Sequence, residues 1–267
     1  NKWSNSPAFT FGDTELPGFW DAKFEVSNNT SALRILPDEI SLRDIAVGNM
    51  FTASRNMEKS NLYGWDLAEG YLKNDGTFSI DNNNIDTHMM KNTEWGAVAY
   101  LSQSIYGKNS EIYINPSSKY KTGFAGSTVN ASSESTCPGA SCFAYNTEQG
   151  QQASTTGTVY GVYDMSGGAN EYTAAYINNS NADDYFSNIA TVKAKYKDVY
   201  NKGTTDSGAN NYIVAIHKKG DAVYETSLSV NSPYTNSWYS DYSYMPYSSI
   251  PWFRRGGYYS GGSVAGV

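Results

Sequence analysis

Charge is scarce in this chain, and so are the side chains that most often do chemistry. Asp, Glu, Lys and Arg make up 17% of the residues, and two histidines and two cysteines are its whole stock of imidazole and thiol. His88 and His217 lie far apart, in Asp86-Thr87-His88 and Ile216-His217-Lys218. Neither spacing sets a base beside a nucleophile, so both are read as structural or surface residues. No Lys/Arg cluster gathers anywhere, and a net charge of -7 with pI near 4.9 excludes a nucleic-acid or anionic-membrane footprint. There is also no apolar run of the roughly 18 residues a membrane span needs, and no charged-then-apolar leader in the sequence as given.

What is present is tyrosine, serine, asparagine, glycine and threonine, a balance that suits extracellular or virion surfaces. The 39% apolar content is enough for a sizeable core, and residues 1–267 are read as one domain. The aromatic-polar alternation over 8–27 predicts strands, with Gly12-Asp13 and Pro17-Gly18 as turns. A helix is expected after Pro37-Asp38-Glu39, through Ile40, Leu42, Ile45 and Val47, fraying near Arg55. A second should open at Thr93-Glu94, with Trp95, Val98, Ala99, Leu101 and Ile105 on its apolar positions, and end at Tyr106-Gly107. Two stretches read as insertions. Residues 116–158 are mostly small and polar, too poor in apolar residues for core, and 177–211 form another insertion with a helix near Ile189 to Tyr200.

Cys137 and Cys142 flank a Pro-Gly turn that would bring their sulfurs together, so a local disulfide leads over two free thiols or half a zinc site. Residues 231–260 hold seven of the 23 tyrosines, with seven serines, Trp238 and Trp252. Tyrosine gives a large, rigid, amphipathic contact face at low entropy cost, and Ser, Gly and Asn add adaptable hydrogen bonds, the mixture of antibody loops. A ligand-facing region is therefore placed at about 231–263, against the alternative that these tyrosines pack edge strands and loops.

Four patterns occur in a fixed order: GFWDAKFEVSN at 18–28, NTEWGAVAY at 92–100, GVYDMSGGANEY at 161–172 and WFRRGGYY at 252–259. The series resembles the formylglycine-generating-enzyme family, and more closely its non-enzymatic branch of bacterial pilin-like, prophage or retroelement-diversified surface proteins. That resemblance implies an α+β, C-type-lectin-like fold.

It also implies where function sits. Relatives hold calcium at the segment matching Asp164, Gly167, Ala169 and Glu171, which suits a cation that wants six to eight hard oxygens. The alternative is that Asp164 caps the turn and Glu171 pairs with Arg254 or Arg255. Asn170 stands where relatives carry tryptophan. In retroelement-diversified relatives the variable positions follow the Arg-Gly-Gly pattern. The ligand-facing set is therefore Trp238, Tyr239, Tyr242, Tyr244, Trp252, Arg254, Tyr258, Tyr259, Ser260 and Ser263. The oxidising relatives need a late cysteine pair, and none follows Cys142, so no enzyme is expected. The expected role is the head of a pilin-like adhesin, outside the cell or on a virion, binding a protein or glycan on a cell surface. Other subunits of a pilus or tail fibre are further expected partners. The alternatives are a prophage tail receptor-binding protein, an oxidase relative with changed chemistry, and a structural decoration subunit.

Overall fold

The structure, a computed structural model, describes residues 5–59, 63, 85–201, 218–226, 238–240, 246, 248–262, 265 and 267. It is a mixed α+β arrangement. The central sheet has three strands in the order β8 (Asp198–Asn201), β7 (Glu171–Asn178), β9 (Trp252–Arg255). β7 pairs parallel with β8 and antiparallel with β9. Period-two alternation explains its composition, because both faces of β7 are covered. Tyr176 joins Val47, Phe51, Ile189 and Trp252 on one side. Ala175 and Ile177 meet Tyr200, Val223 and Phe253 on the other.

Three two-stranded ladders surround this sheet. They are β1 (Thr10–Phe11) with β2 (Thr14–Glu15), β3 (Ser27–Asn29) with β4 (Ala32–Arg34), and β5 (Phe124–Gly126) with β6 (Cys142–Ala144). Strands were expected across 8–27; only the Gly12-Asp13 hairpin and the start of β3 take that form.

The first helix, α1 (Val47–Asn56), begins later than its apolar spacing suggested. Asp38 and Asp44 sit at φ +62° and +57°, and Ser41 and Leu42 give their backbone N–H groups to Tyr120 and Val26. Cross-chain pairing therefore overrides the helical pattern over 38–45. The second, α2 (Asn92–Ser102), starts one residue before the expected Thr93. Glu94 accepts from the Lys91 N–H at 2.8 Å, and Asp198 of β8 accepts from the Thr93 N–H at 2.8 Å, so two carboxylates serve its positive end. It ends at Ser102, short of Tyr106-Gly107.

Both supposed insertions contribute to the core. Within 116–158, Phe124 and Ala125 are buried, and Gly126 lies so close to Ala131 that a Cβ would sit 2.3 Å from that methyl. At Gly126 the small residue marks tight packing rather than exposure. Cys137 and Cys142 form a disulfide beside Phe124. Residues 177–201 carry the end of β7, α3 (Ala182–Tyr185) and β8. The helix expected near Ile189 to Tyr200 is instead two 3₁₀ turns, at Ile189–Thr191 and Ala194–Tyr196. Asn188 at φ +60° and extended Val192 and Lys193 interrupt it, and β-branched Ile189, Thr191 and Val192 disfavour helix. A single-turn helix, α4, spans Val223–Thr226. Among the described residues, no helix is long and apolar enough to cross a membrane.

Candidate functional site

The four sequence patterns meet at one place. Arg255 of β9 is 0% exposed, with its guanidinium 3.9 Å from the Trp95 ring centroid of α2. It donates to Thr226 Oγ1 at 2.9 Å and to the Ala222 carbonyl at 3.3 Å. Burial pulls its pKa down to about 10, against the pull of Asp221 and other acids. Arg255 thus pins α2 and α4 to the sheet.

Beside it lies the glycine-rich turn. Asp164, Gly167 and Gly168 have φ of +64°, +81° and +67°, and a Cβ on Gly167 would lie 2.4 Å from Asn115 O. The buried Asp164 carboxylate accepts from Asn115 Nδ2 and the Gly123 N–H, both at 2.8 Å, and from the Glu25 N–H at 3.3 Å. Three segments remote in sequence are tied to one side chain.

Two more carboxyls crowd this point. Glu25 accepts from the Ala169 N–H at 3.2 Å and from Ser41 Oγ. Glu171, opposite Arg255 in the β7–β9 register, keeps Oε2 buried without a hydrogen-bond partner. A Cβ on Gly256, at φ +73°, would sit 2.1 Å from that oxygen, so the Arg-Gly-Gly glycine forms one wall of the cradle. Burial, then the neighbouring Asp164 charge, pushes Glu25 up to about 8. Burial pushes Asp164 up to about 6, and burial with the Glu25 charge raises Glu171 well above the carboxylate range. Glu25 was not among the expected ligands. Its signal was a lone carboxylate between apolar positions in Phe24-Glu25-Val26.

All donors in the cradle are hard oxygens, as calcium requires. Asp164 nevertheless spends its lone pairs on N–H groups, so Glu25 and Glu171 are the carboxylates best able to turn to a cation. Among the described residues, no three His, Cys, Asp or Glu side chains are grouped to hold a metal ion.

The expected ligand face divides. Tyr258 and Tyr259, both half-buried, stand on the turn through the Tyr259 N–H to Gly168 O bond at 3.0 Å. The Tyr259 ring meets Tyr120 edge-on at 5.1 Å, and Arg43 lies over the Tyr120 ring at 3.7 Å. Neither Tyr120 nor Arg43 was foreseen, because neither lies in a motif. Ser260 is exposed beside them, and Arg254 is half-buried one position before Arg255. Trp238 packs edge-on against Tyr100 at 5.3 Å, and the Tyr239 hydroxyl donates to Gln103 Oε1 at 2.7 Å. That pair covers the end of α2, well removed in the chain from the turn. Trp252 is a correction: it is 1% exposed, stacks on Tyr176 at 5.2 Å and donates to the Ala182 carbonyl, which makes it core. Tyr242, Tyr244 and Ser263 lie outside the described residues.

His88 is held between carboxylates, with Nε2 3.1 Å from Glu94 and Nδ1 3.4 Å from Asp86. Hydrogen bonds and charge from both acids overcome its burial and push it up to about 9, which leaves an imidazolium with no lone pair to act as a base. His217 lies outside the described residues.

No family model matches the chain, and no curated protein matches it at a significant level.

Proposed function

We propose that this chain is a surface recognition head of C-type-lectin-like, formylglycine-generating-enzyme-like fold, displayed outside the cell or on a virion as part of a pilin-like adhesin. It binds a protein or glycan on a cell surface and catalyses no reaction. The observation that carries the reading is the Tyr258-Tyr259 pair, held by backbone on a rigid glycine turn beside Tyr120 and Arg43. Pre-ordered aromatic side chains lose little entropy on binding, which suits a recognition face. A prophage tail receptor-binding protein would use the same head. An oxidase relative is disfavoured, because both cysteines of the chain are joined in the disulfide and no thiol remains.

Calcium belongs to this proposal, held by the carboxylates of Glu25 and Glu171 and by the carbonyls of Gly167 and Ala169. A cation there would relieve the mutual repulsion of the buried acids and stiffen the turn under Tyr259. The test is binding of the purified chain to arrayed host-surface glycans and intact bacterial cells, repeated with Tyr258→Ala/Tyr259→Ala. Selective binding that the double variant loses, with its melting temperature nearly unchanged, supports a recognition head. Binding by neither protein would move the reading to a structural subunit.

A further inference from the structure

A cleft opens beside this face and has a cation, Arg43, in its wall. It is an open groove of about 470 Å³, lined by Asn28, Arg34, Glu39, Ile40, Arg43 and their neighbours. That volume is in the range of small-ligand sites. Arg34 is already engaged, 3.0 Å from Glu39. Elsewhere Arg55 holds Glu58 and Asp86, and Arg255 is buried. Among the described residues, Arg43 is exposed and forms no ion pair; its guanidinium carbon lies over the Tyr120 ring, 3.7 Å from the centroid. A guanidinium fixed on a ring keeps its N–H edge presented and gives up little freedom when an anion arrives.

The rest of the groove narrows the class of ligand. Its backbone is largely spoken for: Ser27 bridges Ser41, Ile40 bridges Lys121, and the Ser41 and Leu42 N–H groups bond Tyr120 and Val26. A peptide would find few main-chain groups to pair as an added strand. What the groove does offer is side chains: the Arg34–Glu39 pair, Asn28, and Ile40, which is 57% exposed. A donor and acceptor held side by side match vicinal hydroxyls, and an aliphatic floor matches the C–H face of a ring. We propose that this groove is a subsite for a sugar carrying a carboxylate, with the carboxylate on Arg43 and the hydroxyls on Arg34 and Glu39. Asp44, exposed in the same wall, opposes the anion and limits its affinity.

This inference rests on the recognition reading above, and the experiment separates the two. The purified chain is titrated with glucuronate- and sialate-bearing tetrasaccharides, their carboxyl-reduced counterparts, neutral tetrasaccharides and a tetraglutamate peptide. The subsite predicts binding of a carboxylated sugar that falls tenfold or more on reduction of the carboxyl, and as much in Arg43→Ala. Arg43→Lys should recover little, because lysine keeps the charge and loses the fork. Asp44→Asn, tolerated at its φ of +57°, should tighten binding several-fold. Neutral sugars bound through Tyr258 and Tyr259 with no dependence on Arg43 would overturn the subsite and leave the recognition reading intact. Equal binding of tetraglutamate would overturn the sugar assignment. No binding to any probe would overturn the subsite, and failure in the cell-binding test as well would remove the recognition reading with it.

Discussion

Two clusters of carboxyls in this protein, one partly exposed around His88 and one buried at the glycine turn, have solved the same electrostatic problem in opposite ways. Around His88, each acid has cations at hand: Asp86 meets Arg55 at 2.7 Å and Lys195 at 3.0 Å, and Glu94 meets His88 at 3.1 Å and Lys91 at 3.3 Å. Asp86 and Glu94 are accordingly held below the usual carboxylate range, although burial alone would raise them. Around the glycine turn, Glu25 and Asp164 are met by neutral N–H and O–H donors, Glu171 keeps one oxygen buried without a partner, and all three are pushed upward, chiefly by burial. The first cluster is complete in itself and reads as structure. The second holds repulsion that a proton or a cation can relieve, and a charge imbalance of that kind is a functional signal only when geometry accompanies it. Here the geometry is the cradle beneath Tyr259.

The comparison can be broken from either side. The largest effect is expected from Asp164→Ala, which orphans the donors of Asn115, Gly123 and Glu25 and places alanine at positive φ. It should cost about 4 kcal/mol in denaturant unfolding. Loss of under 1 kcal/mol would mean that the turn is held by other contacts. Next comes Glu94→Gln, which leaves buried Lys91 and His88 short of a counter-charge and should cost about 3 kcal/mol. A neutral outcome would show the His88 network to be dispensable.

Smaller in size, and opposite in sign, is Glu25→Gln. A carboxyl whose folded pKa is raised binds more protons folded than unfolded. Stability therefore falls as pH rises from about 4.5, the ordinary value, to about 8, the folded value of Glu25. The variant should be more stable than the wild type at pH 8, on the order of 1 kcal/mol, and should gain nothing at pH 4. His88 has a raised pKa of the basic kind. Its contribution is fully present below 6.5 and is lost as pH climbs through about 9, so Glu25→Gln should retain the alkaline part of the decline. Melting curves from pH 4 to 9.5 check both, and an unchanged slope between pH 5 and 8 in the variant would refute the coupled-acid account. The smallest change is expected from calcium. At millimolar levels it should raise the melting temperature by a few degrees at pH 8, less at pH 5 where protons compete, and hardly at all in Glu25→Gln.

Parts of this arrangement were legible and parts were not. The α2 pattern was readable because Trp95, Val98 and Ala99 recur at helical spacing and the fold leaves that spacing undisturbed. The disulfide was readable because a sequence separation of 5 and a Pro-Gly turn settle it locally. By contrast, 38–45 carried helical spacing and became bridges to distant segments, and 116–158 carried surface-like composition yet sends Phe124, Ala125 and the disulfide into the core. In both cases a small or polar residue was judged by average behaviour, whereas contacts distant in sequence fixed its place. Trp252 was misplaced for the same reason. It lies within a segment rich in tyrosine and serine, but its neighbour across the strand is Tyr176.

By itself the amino-acid order determined which elements could form locally and which residue types are scarce: charge, histidine and cysteine. The four spaced patterns also marked the residues that would matter, because Gly, Trp, Arg and acidic side chains at those spacings carry strong local demands. Tertiary structure alone decided that Glu25 would meet Asp164 and Glu171, that Arg255 would spend its charge on Trp95 and the core, and that Arg43 would lie on Tyr120 with no ion pair among the described residues. Those outcomes depend on desolvation and on contacts between residues up to 146 positions apart, as Glu25 and Glu171 are, and no local property of the chain encodes them.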